Sequence, residues 1–310
     1  MKKHTSIVLS VLVIASIVAV FSYFRNAGNS DQPVQARKIQ AVASFYPLYY
    51  FSQRIGGDQA EVTDIVPSGA EPHDYEPTAQ DMARMEHAEV IVLNGGGLEA
   101  WSDTVQKTVT AGGTTVVIAG EGLTTRQMEE DGEIGTDPHV WLDPSLAEKM
   151  VDRIVQGFRR ADPANGEYYQ ANADALKNEL HDLDLAYEQG LRACKEKDII
   201  TSHAAFGYMA ATYGFNQVPI AGLSPDAEPS SRQMADIVKF AKDHDVRYIF
   251  FESLVSPKLA QTIATEVGVQ TLVLDPIEGL SDEDVAQGKN YLTVMRDNLT
   301  NIRTALQCNE

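Results

Sequence analysis

Positive charge is scarce in this 310-residue chain: 25 Lys and Arg stand against 44 Asp and Glu, a formal net charge of −19. So acidic a surface excludes nucleic acid as a partner, because phosphates need a basic face, and it disfavours docking onto anionic lipid. Cysteine is scarcer still. Cys194 and Cys308 both lie far downstream, so none is available for lipid attachment near residue 25. The sequence also lacks low-complexity segments, any short repeat period, an H-E-x-x-H zinc-protease helix, a G-x-S-x-G nucleophile elbow and a G-x-G-x-x-G or Walker lysine loop. With 44% hydrophobic and 8% aromatic residues, disorder is excluded, and the length suits one large domain or two lobes.

The acidity is uneven. Residues 1–36 carry Lys2, Lys3 and Arg25 against Asp31 alone, which leaves 22 basic and 43 acidic residues, a net −21, in the other 274. Lys2 and Lys3 precede residues 7–24, an uncharged apolar run of 18, and this reads as an export signal or an uncleaved N-terminal membrane anchor. Either device sends the acidic bulk across the membrane, to the periplasm or the outer face of the cell. Residues 26–37 are a polar spacer. In an exported protein Cys194 and Cys308 could pair; two buried thiols are the alternative.

From residue 39, apolar runs (IQAVASF, AEVIVLNG, TTVVIAG) alternate with helical patterns such as MARMEHA and EAWSDTVQKTV, the rhythm of βαβ units and a parallel sheet. It resumes with DIITSHAAF, VRYIFFE and VQTLVLD, separated by SSRQMADIVKFAKDH and SPKLAQTIATEVG. Between the two sets, Tyr169, Ala173, Leu176, Leu180, Leu183, Ala186, Tyr187 and Leu191 recur every three or four residues, predicting one long amphipathic helix of roughly 45 Å at about 1.5 Å per residue. The expected fold is α/β: two (βα) lobes with mainly parallel sheets, residues 37–161 and 195–310, joined by a linking helix over 162–194, with residues 1–36 outside the body.

Three of the seven histidines share a setting. His73 in GAEPHDYEP, His139 in GTDPHVWLDP and His203 in IITSHAAFGY each follow a strand or a Pro-bearing turn, where open parallel sheets place ligands. One such histidine is more often a hydrogen-bonded structural residue; three in equivalent positions point to a metal. Intervals of 66 and 64 residues separate them, and 72 residues further on Asp275 in LVLDPIEGL again follows an apolar run. Two candidates fall in each lobe, and they would meet in the cleft. Three imidazoles and one carboxylate suit zinc, with manganese second. His87, His181 and His244 sit in charge-rich helical company and His4 in the export segment. Gly95, Gly96 and Gly97 read as a tight turn, and Trp101 and Trp141 as core packing.

These segments together resemble the metal-specific substrate-binding proteins of bacterial ABC importers, the zinc and manganese uptake group. The resemblance covers residues 39–306 and is carried by VPSGAEPHDYEPTAQD, AEVIVLNGGGLEAW, DPHVWLDP, TSHAAFGYMAATYGF, EPSSRQMADIVKFAKDHDVRYIFFESLVSPKLAQTIATEVG and VLDPIEGL. It implies two lobes on a rigid linking helix and one metal in the cleft, held by His73, His139, His203 and Asp275. A permease and its ATPase are the implied partners of a monomeric, non-enzymatic carrier. Histidine at the third position favours zinc over manganese. The usual His-rich loop before the Asp-Pro-His turn is replaced by GEGLTTRQMEEDGEIGT, whose Glu121, Glu129, Glu130, Asp131 and Glu133 make an acidic lip or an ordinary solvated loop. The rival reading is an exported zinc hydrolase with Glu71 or Glu76 as base. A binding site of neutral imidazoles should lose affinity below roughly pH 6.5.

Overall fold

Valine and isoleucine dominate the strands of the first half, and both faces of those strands are covered. In the computed structural model, which describes residues 37–109, 112–130 and 133–309, β1 (Ile39–Ala43), β2 (Ala60–Asp64), β3 (Val90–Leu93) and β4 (Thr115–Ile118) form a parallel sheet in the order β2-β1-β3-β4. Residues 1–36, with the expected export segment, lie outside the described residues. Side chains alternate across the sheet. Ala41, Ala43, Val90 and Val92 enter the main core, while Val42, Ile91 and Leu93 pack on the opposite face with Met85 of α2 (Ala79–His87) and Val105 of α3 (Ser102–Val109). Parallel sheets need such double cover.

The second half repeats the plan. β7 (Asp198–Thr201), β8 (Asn216–Pro219), β9 (Tyr248–Phe251) and β10 (Gln270–Val273) are all parallel in the order β10-β9-β7-β8, which read from the other edge is the order of the first sheet. Ile199 and Phe250 face the main core; Ile200 and Ile249 face a separate cluster with Ile237 of α7 (Ser231–Asp243) and Ile263 of α8 (Lys258–Val267). In each sheet the strand order reverses beside the first strand, between β1 and β3 and between β7 and β9. Open α/β sheets hold ligands at the carboxyl ends of strands at such reversals.

One helix runs past both sheets. After α1 (Tyr46–Gly56) and α4 (Pro144–Ala161), α5 (Gly166–Leu191) spans 26 residues, about 39 Å at 1.5 Å per residue. It buries Tyr169, Ala173, Leu176, Leu180, Leu183, Tyr187 and Leu191, the stripe legible in the sequence except for Ala186, and these belong to a core that also holds Val92 and Phe250. Polar ties fix it at its middle and near its carboxyl end: Arg54 of α1 pairs with Glu179, and the Tyr187 hydroxyl donates to Met295 O of α10 (Tyr291–Ala305) at 2.7 Å. Four strands escape the sequence pattern. β2 and β8 are edge strands with little apolar patterning, and the acidic lip folds as a hairpin of β5 (Gln127–Glu130) and β6 (Glu133–Thr136).

Cys194 and Cys308 are disulfide-bonded across 114 residues, tying the end of the long helix to the end of α10. A cross-link over so long a loop acts mainly on the unfolded chain. Replacing both cysteines with serine should lower the unfolding free energy by about 2–4 kcal/mol, measured by guanidinium titration of oxidised and variant protein. An unchanged midpoint would count against the tie.

Candidate metal centre

Four loops at strand carboxyl ends supply the site. His73 lies in the loop after β2, His139 follows the β5–β6 hairpin, His203 comes two residues after β7, and Glu278 lies in the loop after β10. His203 is held by its own backbone: its carbonyl accepts from Thr201 Oγ1 and Gln217 Nε2, both at 2.8 Å. Pro138, before His139, accepts from Asn94 Nδ2 at 2.9 Å, so the carboxyl end of β3 anchors that turn.

Their ligand atoms form a cage. His73 Nε2 and His203 Nε2 each stand 3.3 Å from His139 Nε2, and Glu278 Oε1 stands 3.2 Å from His73 Nε2, 3.2 Å from His139 Nε2 and 3.4 Å from His203 Nε2. Ligands at about 2.0–2.1 Å from a tetrahedral zinc are separated by about 3.3–3.4 Å, so these edges fit a zinc-sized tetrahedron. His139, His203 and Glu278 are fully buried, while the His73 side chain keeps 10% of its exposure and marks the open side.

A second layer of carboxylates grips the far ring nitrogens. His139 Nδ1 lies 2.8 Å from Asp137 Oδ1, and His203 Nδ1 lies 2.7 Å from Glu252 Oε1. An Nδ1–H donated to a carboxylate leaves the Nε2 lone pair facing the cage. Burial alone would lower both imidazolium pKa values. The contacts with Asp137 and Glu278 overcome it and raise His139 above 6.5, and the charges of Glu252 and Glu278 raise His203 well above it. Burial likewise acts to raise Glu278, but the His203 charge and the bonds from His139, His203 and His73 hold it well below the usual carboxylate range.

The short helix α6 (Gly207–Tyr213) locks the two lobes at this point. The Tyr208 hydroxyl accepts from Arg126 N and donates to Asp137 O, both at 3.0 Å, and Thr212 Oγ1 donates to Asp143, the N-cap of α4. A Cβ on Gly207 would meet Asp137 Oδ2 at 2.8 Å, so glycine is needed for this approach. The carboxylates flanking His139 in sequence are thus both braced by the helix that follows His203.

Asp275, expected as the fourth ligand, does not stand with the imidazoles; the carboxylate grouped with His73, His139 and His203 is Glu278. Asp275 Oδ1 instead accepts from Ile277 N at 2.7 Å, and burial pushes its carboxyl up to about 6 against bonds from Ser253 and Ile277. Ile277 has φ +58 and is fully buried. A β-branched residue in the left-handed region costs about 1–3 kcal/mol and persists only where its surroundings impose it. The sequence signal for Glu278 was its place in the same DPIEGL loop, three residues beyond the aspartate. Of the two carboxylates considered as a hydrolytic base, Glu76 is exposed, and Glu71 sits beside the cage with Oε1 accepting from His73 N at 3.3 Å. Burial and the Glu278 charge push the Glu71 carboxyl up to about 8.

A two-lobed α/β scaffold that gathers three imidazoles and one carboxylate into a single buried cage has the donor set of a metal-capturing protein. The family model "Zinc-uptake complex component A periplasmic" (ZnuA) matches residues 41–305, and the chain belongs to that family. It is 39% identical over 305 residues to the high-affinity zinc uptake system protein ZnuA of Bacillus subtilis (94% of this chain, 96% of that one). It is 35% identical over 313 residues to the zinc-binding protein AdcA of Streptococcus pyogenes, covering 94% of this chain but 61% of that longer protein. The crystal structure of the Zn(II)-bound ZnuA-like domain of Streptococcus pneumoniae AdcA matches with TM-score 0.76 at 38% identity, over 87% of this chain and 99% of that one. The family is a metal-binding transport component, so the chain is a zinc-uptake substrate-binding protein and not an enzyme; manganese is not favoured.

Outer carboxylates usually contribute 10- to 100-fold to metal affinity. Asp137→Ala and Glu252→Ala should each weaken zinc binding by about that factor in chelator competition, with His139 and His203 still present. Wild-type affinity in both would show that the imidazoles need no such support.

Proposed function

We propose that this chain works outside the cytoplasm as a monomer, takes Zn2+ into the cleft on His73, His139, His203 and Glu278, and delivers it to an ABC permease driven by its ATPase. The observation that carries the reading is the cage of four potential ligand atoms, all within 4.8 Å of one another and with five edges of 3.2–3.4 Å, three of its four side chains fully buried. All four places are taken by protein, which favours storage over activation of a bound water. Three imidazoles and one carboxylate favour zinc over manganese, which gains most from hard oxygens. Delivery from outside the membrane accords with the apolar run at residues 7–24, and the disulfide accords with an oxidising compartment. A net −21 outside the export segment concentrates dications around the cleft without selecting among them.

Capture is an exchange of protons for metal. With His139 and His203 raised by neighbouring carboxylates, the metal-free site holds its imidazole protons to a higher pH than free imidazoles would, and Zn2+ must displace those present. Affinity therefore rises with pH through the raised imidazole range, and the fall on acidification begins above pH 6.5 rather than at it. Calorimetry in buffers of different ionisation enthalpy should show protons released as zinc binds, in a number that shrinks as the pH is raised; no release at any pH would count against the exchange. His139→Ala and His203→Ala should each lose zinc binding by at least about 100-fold, and unchanged binding in both would overturn the site.

A further inference from the structure

Asp275 is buried at 6% exposure on a loop clamped from every side. Asn298 of α10 brackets its backbone, accepting from Asp275 N at 2.9 Å and donating Nδ2 to Asp275 O at 2.6 Å. The next residue, Pro276, accepts from Trp141 Nε1 at 2.8 Å, and Trp141 itself lies two residues beyond His139. The Asp275 carboxylate then closes over the turn onto Ile277 N at 2.7 Å. Ile277 sits at φ +58, and Glu278 leaves the turn aimed at the three imidazoles.

A carboxylate committed in this way has a reason to be where it is. Ile277 is fully enclosed, so its N–H has no water to turn to and would be an unpaired buried donor without Asp275. An aspartate that accepts from the backbone two residues on is the standard stabiliser of such a turn. The left-handed conformation of an isoleucine is not self-sustaining, and a relaxed Ile277 would rotate the following peptide and withdraw Glu278 from the cage.

We propose that Asp275 is the positioning residue for Glu278: it holds the left-handed turn at Ile277 that aims the fourth ligand, and it does not itself bind the metal. The inference rests on the zinc-site reading above and adds a division of labour within DPIEGL. It also explains why a loop with two buried carboxylates presents only one of them to the imidazoles.

An asparagine substitution separates the two roles, since the side-chain amide oxygen can still accept from Ile277 N while carrying no charge for a cation. In the full chain, Asp275→Asn should bind zinc within about threefold of wild type, whereas Asp275→Ala should lose about 10- to 100-fold. Glu278→Gln should lose affinity even though the turn is intact. Zinc K-edge absorption should report three imidazoles and one carboxylate oxygen in both wild type and Asp275→Asn. Melting of the metal-free variants separates a purely structural effect, which would lower stability without changing affinity per folded molecule. If Asp275→Asn loses as much affinity as Asp275→Ala, or loses the carboxylate signature, the positioning role is wrong. If instead His139→Ala, His203→Ala and Glu278→Gln all bind like wild type, the site itself is misread, and that failure is distinguishable from the first.

Discussion

One buried carboxylate organises this molecule. Glu278 is 1% exposed, and a lone ion at that depth would be expelled or neutralised. What keeps it charged is a set of three imidazole Nε2 atoms within 3.4 Å of one oxygen, delivered by loops that are far apart in sequence. Each imidazole that faces a carboxylate on both sides, as His139 and His203 do, is in turn fixed in ring orientation. The remaining architecture supplies the positions: two copies of one strand order, each with a reversal beside its first strand, and a helix of 26 residues along both.

The two reversals are filled differently. In the second sheet the pair β7 and β9 ends in His203 and Glu252, so ligand and outer carboxylate occupy the crevice directly. In the first sheet the crevice between β1 and β3 holds Glu99, whose carboxylate accepts from Ser44 Oγ at 2.6 Å, Asn94 N at 2.6 Å and Gly95 N at 2.9 Å. An internal carboxyl group thus occupies the crevice that a bound ligand commonly takes in such folds. Gly95, Gly96 and Gly97, all at positive φ, form the turn around it, and Asn94 passes the restraint on to Pro138 and His139. The glycine run that resembles a phosphate loop is a support for the metal turn.

Much of this was legible in the residues, for identifiable reasons. Six strands announced themselves by continuous apolar runs, fullest in β3, whose four residues are all buried, and the long helix because its stripe repeats at three and four residues. β2 (AEVTD) and β8 (NQVP) did not, since each is an edge strand with a single valine as its branched apolar residue. The histidines were readable from strand ends and proline turns. The carboxylate that joins them was not: it follows an isoleucine in the left-handed region, and nothing in a β-branched residue signals that conformation. Asp275 fitted the local pattern, but its carboxylate is committed to Ile277 N and its backbone to Asn298, contacts that no local pattern shows.

The same charges that make the site selective also make its emptying tolerable. Glu278, Asp137 and Glu252 bring three carboxylates into a volume with almost no water, which by themselves would repel one another. Without metal, protons on His139 and His203 answer that charge, and their raised pKa values are the expression of it. Zn2+ arriving as imidazole protons leave offsets part of the change in charge, so the buried electrostatic balance shifts less between the loaded and empty states than the dication alone would shift it. A carrier that must both hold and surrender its ion benefits from this. A site built of neutral ligands alone would have no internal substitute for the departing dication. Histidine–carboxylate pairs therefore serve selection through geometry and release through protons with one set of residues.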